Sequence, residues 1–392
     1  MGSFARTAIA TVLAMVVAAC GGGQAAPAAS GQAGTAPPAA ASAGKASSVE
    51  QAQKDAQAKG LAFAMTHDEI LAKAKAEGGQ LRELMNFGKD PQKAIIAGFQ
   101  KAYPFIALEM GETTGTEEQR FLLELQAGSG NALSWDVRNL NIELFNDLVP
   151  YMWKVDVYGM AQQNVLAIDP RLVDPTTRSA VGLGTAGGGI AYNKKLFTAD
   201  KLPKTWDDIA KPEFSGRKFL TDIAGTNLAC LVPLKGEAYV VDLAKKIAAQ
   251  KPIWTASDTK SLTAMGAGEY QMDYAVNIHS TVRARGVAPD SIEIAVIDPV
   301  PLRLAHISAL LKSAKHPYSG LLFLEWMASA DGQKVLDDFG PVQSSPYVKG
   351  SKVEQLTAGK QISFVGWGQI EKLSGWSQKI VEAFGFPKAD IQ

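Results

Sequence analysis

Cysteine is nearly missing from this chain. Only Cys20 and Cys230 occur in 392 residues, and Cys230 sits in the apolar run LACLV, where a small buried hydrophobe is expected. Histidine is scarce too. His67, His279, His306 and His316 include no pair at metal-ligand spacing and no H-E-x-x-H helix. A phosphate-binding P-loop and a G-x-S-x-G nucleophile elbow are also missing. An excess of one charge is missing as well, since 39 basic side chains face 39 acidic ones. That balance supplies no field to steer the chain to nucleic acid. Beyond the first twenty residues no run approaches the eighteen apolar residues of a membrane span. Disulfide-stapled domains, zincins, P-loop NTPases and serine hydrolases are thereby set aside. No metal, no cofactor and no nucleic-acid partner are expected.

What is present is an ordinary globular composition, 46% hydrophobic and 20% charged, with length for two domains with real cores. The N-terminus departs from it. One basic residue, Arg6, precedes the small apolar run Thr7 to Ala19, the pattern of an export signal. The run ends in Val17-Ala18-Ala19-Cys20-Gly21, which resembles the bacterial lipoprotein cleavage box. That resemblance implies lipid attachment at Cys20 and an exported chain anchored to the cell-envelope membrane, periplasmic or extracellular. Residues 21–48 are Ala, Gly, Pro, Ser and Gln with almost no large apolar residue, so a disordered tether is expected there. Such a tether reaches roughly 30 Å root-mean-square.

From Val49 the pattern turns helical. Thr66 to Glu69 reads as a capping box opening the helix HDEILAKAKAEGG. QLRELMNFG then reads as a strand, Asp90-Pro91 as a helix start, FIALEMGE as a second strand and EEQRFLLELQAGSG as a helix. Strand alternating with helix predicts an α/β fold with a parallel sheet. One stretch competes with that order: Gly182-Leu183-Gly184-Thr185-Ala186-Gly187 satisfies G-x-G-x-x-G. A dinucleotide loop must leave a strand and enter a helix. Here DPTTRSA precedes it and the β-rich GGIAYN follows, so helix entry fails. The glycines instead suit a segment where the backbone bends and a ligand approaches it closely.

Several phrases then line up. KAEGGQLRELMNFGKDPQKAIIAGFQKAYPFIALEM, TTGTEEQRFLLELQAGSG, IAYNKKLF, LPKTWDDIAKPEFSGRKFLTD and ISALLKSAKHPYSGLLFLEWMASADGQKVL resemble, in order, bacterial extracellular solute-binding proteins of the ferric-ion, thiamine and polyamine-binding type. The likeness runs from about Ala72 to about Pro346. It implies a type II periplasmic-binding-protein fold: two α/β lobes joined by β-strand crossings, with the ligand in the cleft between them. The expected boundaries are an N-terminal helical extension at 49–71, lobe one at 72–184 and 300–342, and lobe two at 190–298 and 343–392. The segment Gly182 to Gly189 becomes the hinge beside the cleft. The implied function is a lipid-anchored, monomeric receptor that delivers a small polar or charged solute to an ABC permease. A sensor presenting its closed form to a signalling partner would share the fold, and an enzyme on the same fold is a further alternative. Acidic pairs such as Asp207-Asp208 and Asp337-Asp338 lie in helical segments where solvent exposure is the ordinary role, so no catalysis is expected. Ferric-binding members carry an adjacent tyrosine pair after the GEY segment, whereas here Tyr270 and Tyr274 are separated.

Ligands of parallel sheets bind beyond the carboxyl ends of the strands. Applied to the implied lobes, that rule nominates Lys89, Thr114, Gly115, Thr116, Arg138 and Asn139 in lobe one. In lobe two it nominates Asp222, Asn227, Asn277 and His279, joined by Arg303 and by Thr185 of the glycine stretch. For Thr114 and Thr116 helix capping competes with cleft lining. For Arg138 and Arg303 a salt bridge competes with an anionic ligand, and for His279 a structural role competes with ligand contact.

Overall fold

In the computed structural model the described residues are 39–386, except 86, 114, 141, 217 and 341. The expected signal, Cys20 and the tether up to residue 38 lie outside them. The chain is helical over Ala39–Ala58, so the last part of the expected tether is helix. Its alanines explain this, because alanine has the highest helix propensity of any residue. A second helix, His67–Ala76, starts on Thr66, whose hydroxyl accepts from the Glu69 amide. Val49, Ile70 and Ala74 of these helices are buried in the same core as Leu81, Ile95 and Phe99. No described helix is long and apolar enough to cross a membrane.

Ten strands follow among the described residues: β1 Gln80–Met85, β2 Ala107–Glu112, β3 Val137–Leu140, β4 Val181–Asn193, β5 Phe219–Asp222, β6 Ile253–Thr255, β7 Met272–Asn277, β8 Ile292–Ala295, β9 Val300–Leu310 and β10 Ile362–Val365. They lie in the order β2-β1-β3-β9-β4-β7-β5-β6, with β10 on β9 and β8 on β4. β1 runs parallel to β2 and β3, while β9 is antiparallel to β3 and β4. On the other side β5 is parallel to β6 and β7, and β4 is antiparallel to β7 and β8.

β4 belongs to both halves. Val181 to Gly187 pairs with β9, and Gly188 to Asn193 pairs with β7 and β8. The chain therefore passes from one sheet to the other at Gly187-Gly188, inside one buried strand. None of Gly182 to Gly189 has a positive φ, so no left-handed conformation demands glycine there. Close approach accounts for the glycines instead. A Cβ on Gly184 would lie 2.5 Å from the Gln343 carbonyl oxygen, and one on Gly188 would lie 2.8 Å from the Asn227 Cβ. A Cβ on Gly187 would collide with the Pro301 carbonyl oxygen and Leu302.

Each half has its own core. Leu81 and Met85 of β1 face the helices Lys89–Ala102 and Pro317–Ala328, and Leu84 faces Phe121 and Trp135 on the opposite side, the period-two alternation of a strand. In the second half Phe219 packs with Trp206, Tyr274 and Leu243, whereas Leu220 packs with Leu262, Met265 and Val276. The C-terminal segment divides between the halves. β10 joins β9 in the first sheet, whereas the helix Ile370–Ala383 buries Leu373 and Ile380 in the second core.

Candidate functional site

Beside the β4 crossing lies a cavity of about 390 Å³. The first half contributes Phe87 and Gly88 from the loop after β1, Asn139 from β3, and His306 from β9. Gln343 and Phe339 close it from the C-terminal side. Ala186 of β4, Arg303 of β9 and Arg283 of the helix Ile278–Val287 complete the wall.

The sequence supplies these side chains through strand ends. β1 stops at Met85, and Gly88 opens the helix Lys89–Ala102 without any side-chain cap. Asp90, expected as the cap, lies inside the first turn, and its carboxylate reaches Lys93 at 3.3 Å. β7 ends at Asn277, which precedes the helix Ile278–Val287. His279 and Arg283 are four residues apart on that helix and so share one face. β5 ends at Asp222, whose Oδ1 accepts from the Ala224 amide at 3.0 Å.

A chain of polar side chains ties these ends together. Arg303 Nη1 donates to Asn227 Oδ1 at 2.7 Å. Asn227 Nδ2 donates to Asn277 Oδ1 at 3.1 Å and to the Ala275 carbonyl at 2.8 Å. Asn277 Nδ2 in turn donates to Asp258 Oδ2 at 2.7 Å. Asn227, Asn277 and Arg303 therefore form one cluster with Asp258 as an unforeseen member, and Asp222 and His279 lie close enough to feel the Asp258 and Arg303 charges.

Two neutral imidazoles border the cluster. Burial, aided by the Arg283 charge, lowers His279 to a pKa of about 4, and burial with the His279 charge lowers His306 to about 4. Nδ1 of His279 and Nε2 of His306 are buried with no partner among the described residues. The His306 ring lies 4.6 Å from that of Phe87, and its backbone is left-handed at φ 52°. Ala275, next to the cluster, is also left-handed at φ 54°. Such conformations cost energy in residues other than glycine and gather at functional sites. Burial raises the Asp222 carboxyl above its ordinary range and pushes the Cys230 thiol up, with Arg303 opposing both shifts.

Other nominated residues fall elsewhere. Arg138 is fully buried and is not a cleft residue. It donates to the Leu84 carbonyl at 3.0 Å, to the Asn139 carbonyl and to Thr113 Oγ1 at 3.2 Å, and pairs with Glu118 at 3.3 Å. Thr185 is 1% exposed, and its hydroxyl donates to the Ser344 carbonyl at 2.7 Å, so its one proton is committed. Asn139 lines the cavity while donating to Ser308 Oγ at 3.0 Å. Lys89 is exposed next to Gly88, at the start of its helix. Gly115 and Thr116 form the first turn of the helix Gly115–Ala127, and Thr114 lies outside the described residues. No tyrosine is among the described residues that line the cavity: Tyr274 is buried and donates to the Phe214 carbonyl, and Tyr270 packs against Leu262 and Met265.

Asp258, Arg283, His306 and Gln343 were not nominated from sequence. Reading β6 as a strand would have brought in Asp258, which opens the helix after it. One helical turn beyond His279 would have brought in Arg283.

Residues 151–373, more than half of the chain, match the model of a family described as bacterial extracellular solute-binding protein. The chain belongs to that family. No curated protein matches it. Among solved structures, a Trichodesmium protein (IdiA, FutA) in complex with iron and citrate superposes with a TM-score of 0.61 at 18% identity, over 79% of this chain and 100% of that one. The ferric binding protein from Campylobacter jejuni gives 0.58 at 20% identity, over 78% and 100%. Iron-bound HitA from Pseudomonas aeruginosa gives 0.55 at 18%, over 78% and 99%. At such identity the likeness is one of fold, and the fold is the type II periplasmic-binding-protein fold, two lobes joined by β-strand crossings. This solute-binding protein thus has its cavity beside the β4 crossing, between the first sheet and the helix Ile278–Val287 of the second half.

Proposed function

We infer that the protein is an exported, lipid-anchored receptor that captures a small polar or charged solute between its lobes and hands it to an ABC permease. The observation that carries this reading is the cavity walled by the first sheet and, from the second half, by Arg283 of the helix Ile278–Val287, with Arg303 on β9 bonded to Asn227 of the opposite half. Closing the lobes on a solute would bring the His279–Arg283 helix face toward Phe87 and His306, burying the ligand on all sides. Lobe one comprises 72–184 and 300–342 with β10 added; lobe two comprises 190–298 and the helix Ile370–Ala383. Cys20 is the lipid-attachment residue, and the tether holds the lobes off the membrane. The ligands in the Trichodesmium and Pseudomonas structures, iron with citrate and iron, make metal-bearing solutes one class to include in the test.

Small-angle scattering of the purified protein against a solute library tests the reading. The expected result is a smaller radius of gyration with one solute class and none with the rest. A library that leaves the scattering curve unchanged throughout would overturn it.

A further inference from the structure

We propose that the solute is an oxyanion, a carboxylate or phosphonate-like group seated between Arg283 and Arg303, and that the chain Asn227–Asn277–Asp258 holds Arg303 in position to receive it. This proposal rests on the receptor reading above and narrows it to a ligand chemistry.

Charge is the first argument. Two guanidiniums line the cavity, and among the described residues no aspartate or glutamate does. Arg283 is exposed and makes no hydrogen bond or ion pair among the described residues. Arg303 is hydrogen-bonded to a neutral amide oxygen, so its charge is not cancelled by direct contact. A cationic solute would meet two like charges with no lining carboxylate to offset them, whereas an oxyanion meets two planar donors suited to bidentate contact.

The second argument is what stands behind Arg303. The two asparagines are oriented head to tail, each accepting on the arginine side and donating toward Asp258. The carboxylate therefore acts on Arg303 through two amides rather than occupying its ligand face. Such a chain fixes the guanidinium plane before the ligand arrives, which lowers the cost of ordering it on binding.

Unused polar groups in the same place are the third argument. The helix Lys89–Ala102 opens at cavity-lining Gly88 with no side-chain cap, and a helix N-terminus favours an anion. His306 is part of the cavity wall, and its buried, unpartnered Nε2 provides a further hydrogen-bonding position. Phe87, Phe339 and Ile142 supply apolar wall for the remainder of an organic anion. A cavity of about 390 Å³ suits a small molecule.

The test is titration calorimetry with scattering on the full chain, using succinate, methylphosphonate and inorganic phosphate against putrescine, thiamine and ferric chloride, each alone, and succinate again with ferric chloride. One oxyanion is expected to bind without metal and to compact the protein, and succinate against the two phosphorus oxyanions tells which group is recognised. Arg283→Gln should weaken that binding at least about tenfold, as removal of one charge-assisted hydrogen bond would. Its thermal melt should be unchanged because Arg283 has no internal partner among the described residues. Asp258→Asn should weaken binding in the otherwise unaltered protein and add nothing in an Arg303→Gln background, which separates positioning from general destabilisation. Binding and compaction by putrescine, thiamine or ferric iron alone, or by succinate only with ferric iron present, would overturn the oxyanion assignment and leave the receptor reading standing. No binding by any of the six compounds would also overturn the assignment. The receptor reading would fall separately, through the wider library.

Discussion

Arg138 and Arg303 carry the same guanidinium, and their surroundings assign them different work. Arg138 is spent on the interior. It pairs with buried Glu118, binds two carbonyls and Thr113, and lies 5.0 Å from the Phe121 ring centre. Fully buried Glu83 lies near it, its carboxyl pushed well up by burial, with Arg138 opposing that shift. Arg138→Met would remove the guanidinium from its pair with Glu118 and from the Leu84 and Asn139 carbonyls, so a loss of about 3–5 kcal/mol in unfolding free energy is expected. Urea melts measure it, and solute affinity of the folded protein should be little changed. Thr185 follows the same logic on a smaller scale. Thr185→Val would strand the Ser344 carbonyl and cost about 1–3 kcal/mol. Urea melts read this too, and solute affinity should stay at the parent value because the hydroxyl faces Ser344 rather than the cavity.

At the scale of elements, β4 is the part whose sequence and structure are most tightly bound. A thirteen-residue strand shared by two sheets must let Pro301, Leu302 and Asn227 come against its backbone, and Gly187 and Gly188 leave that room. Gly187→Ala is expected to cost about 1–3 kcal/mol by overpacking. Thermal unfolding checks it, and a variant as stable as the parent would show that β9 can shift aside. The sequence made this crossing legible because helix entry failed after the glycines, but the residues that come against the strand lie far along the chain and could not be read from it. The strand-end rule pointed to Asn227, Asn277 and His279 because the apolar residues of β5 and β7 mark those runs as strands, and the structure ties Asn227 and Asn277 to Arg303 of β9. It missed Asp258 because β6 is three residues long, below what periodicity can mark. It misplaced Arg138 because a four-residue strand gives no indication of which face its last residues take. The left-handed backbone at His306 leaves no trace in a strand-like run.

At the scale of the whole molecule, the cleft stores a dependence on pH. His279 and His306 sit at about 4 in the folded protein against an ordinary value of 6.5, lowered first by burial. Above pH 6.5 both states hold these rings neutral and they contribute no slope. Between pH 6.5 and 4 the unfolded chain takes up protons that the folded chain refuses, so stability falls as pH falls, and below about 4 the loss levels off. Glu83, Asp222 and Asp273 work in the opposite sense. Burial raises each of their folded values, so acidification favours the folded state as those carboxyls take up protons. The histidine contribution is therefore read as a difference. In a His279→Gln, His306→Gln double variant, urea melts at intervals from pH 7 to pH 4 should lose less stability than the parent. The difference should reach a few kcal/mol at the acid end, because each tenfold change in a ring's proton affinity is worth about 1.4 kcal/mol. Parallel curves for parent and variant would mean that the rings are solvated well enough to titrate normally. His306 would then not be the neutral ring that a cavity-bound solute would meet.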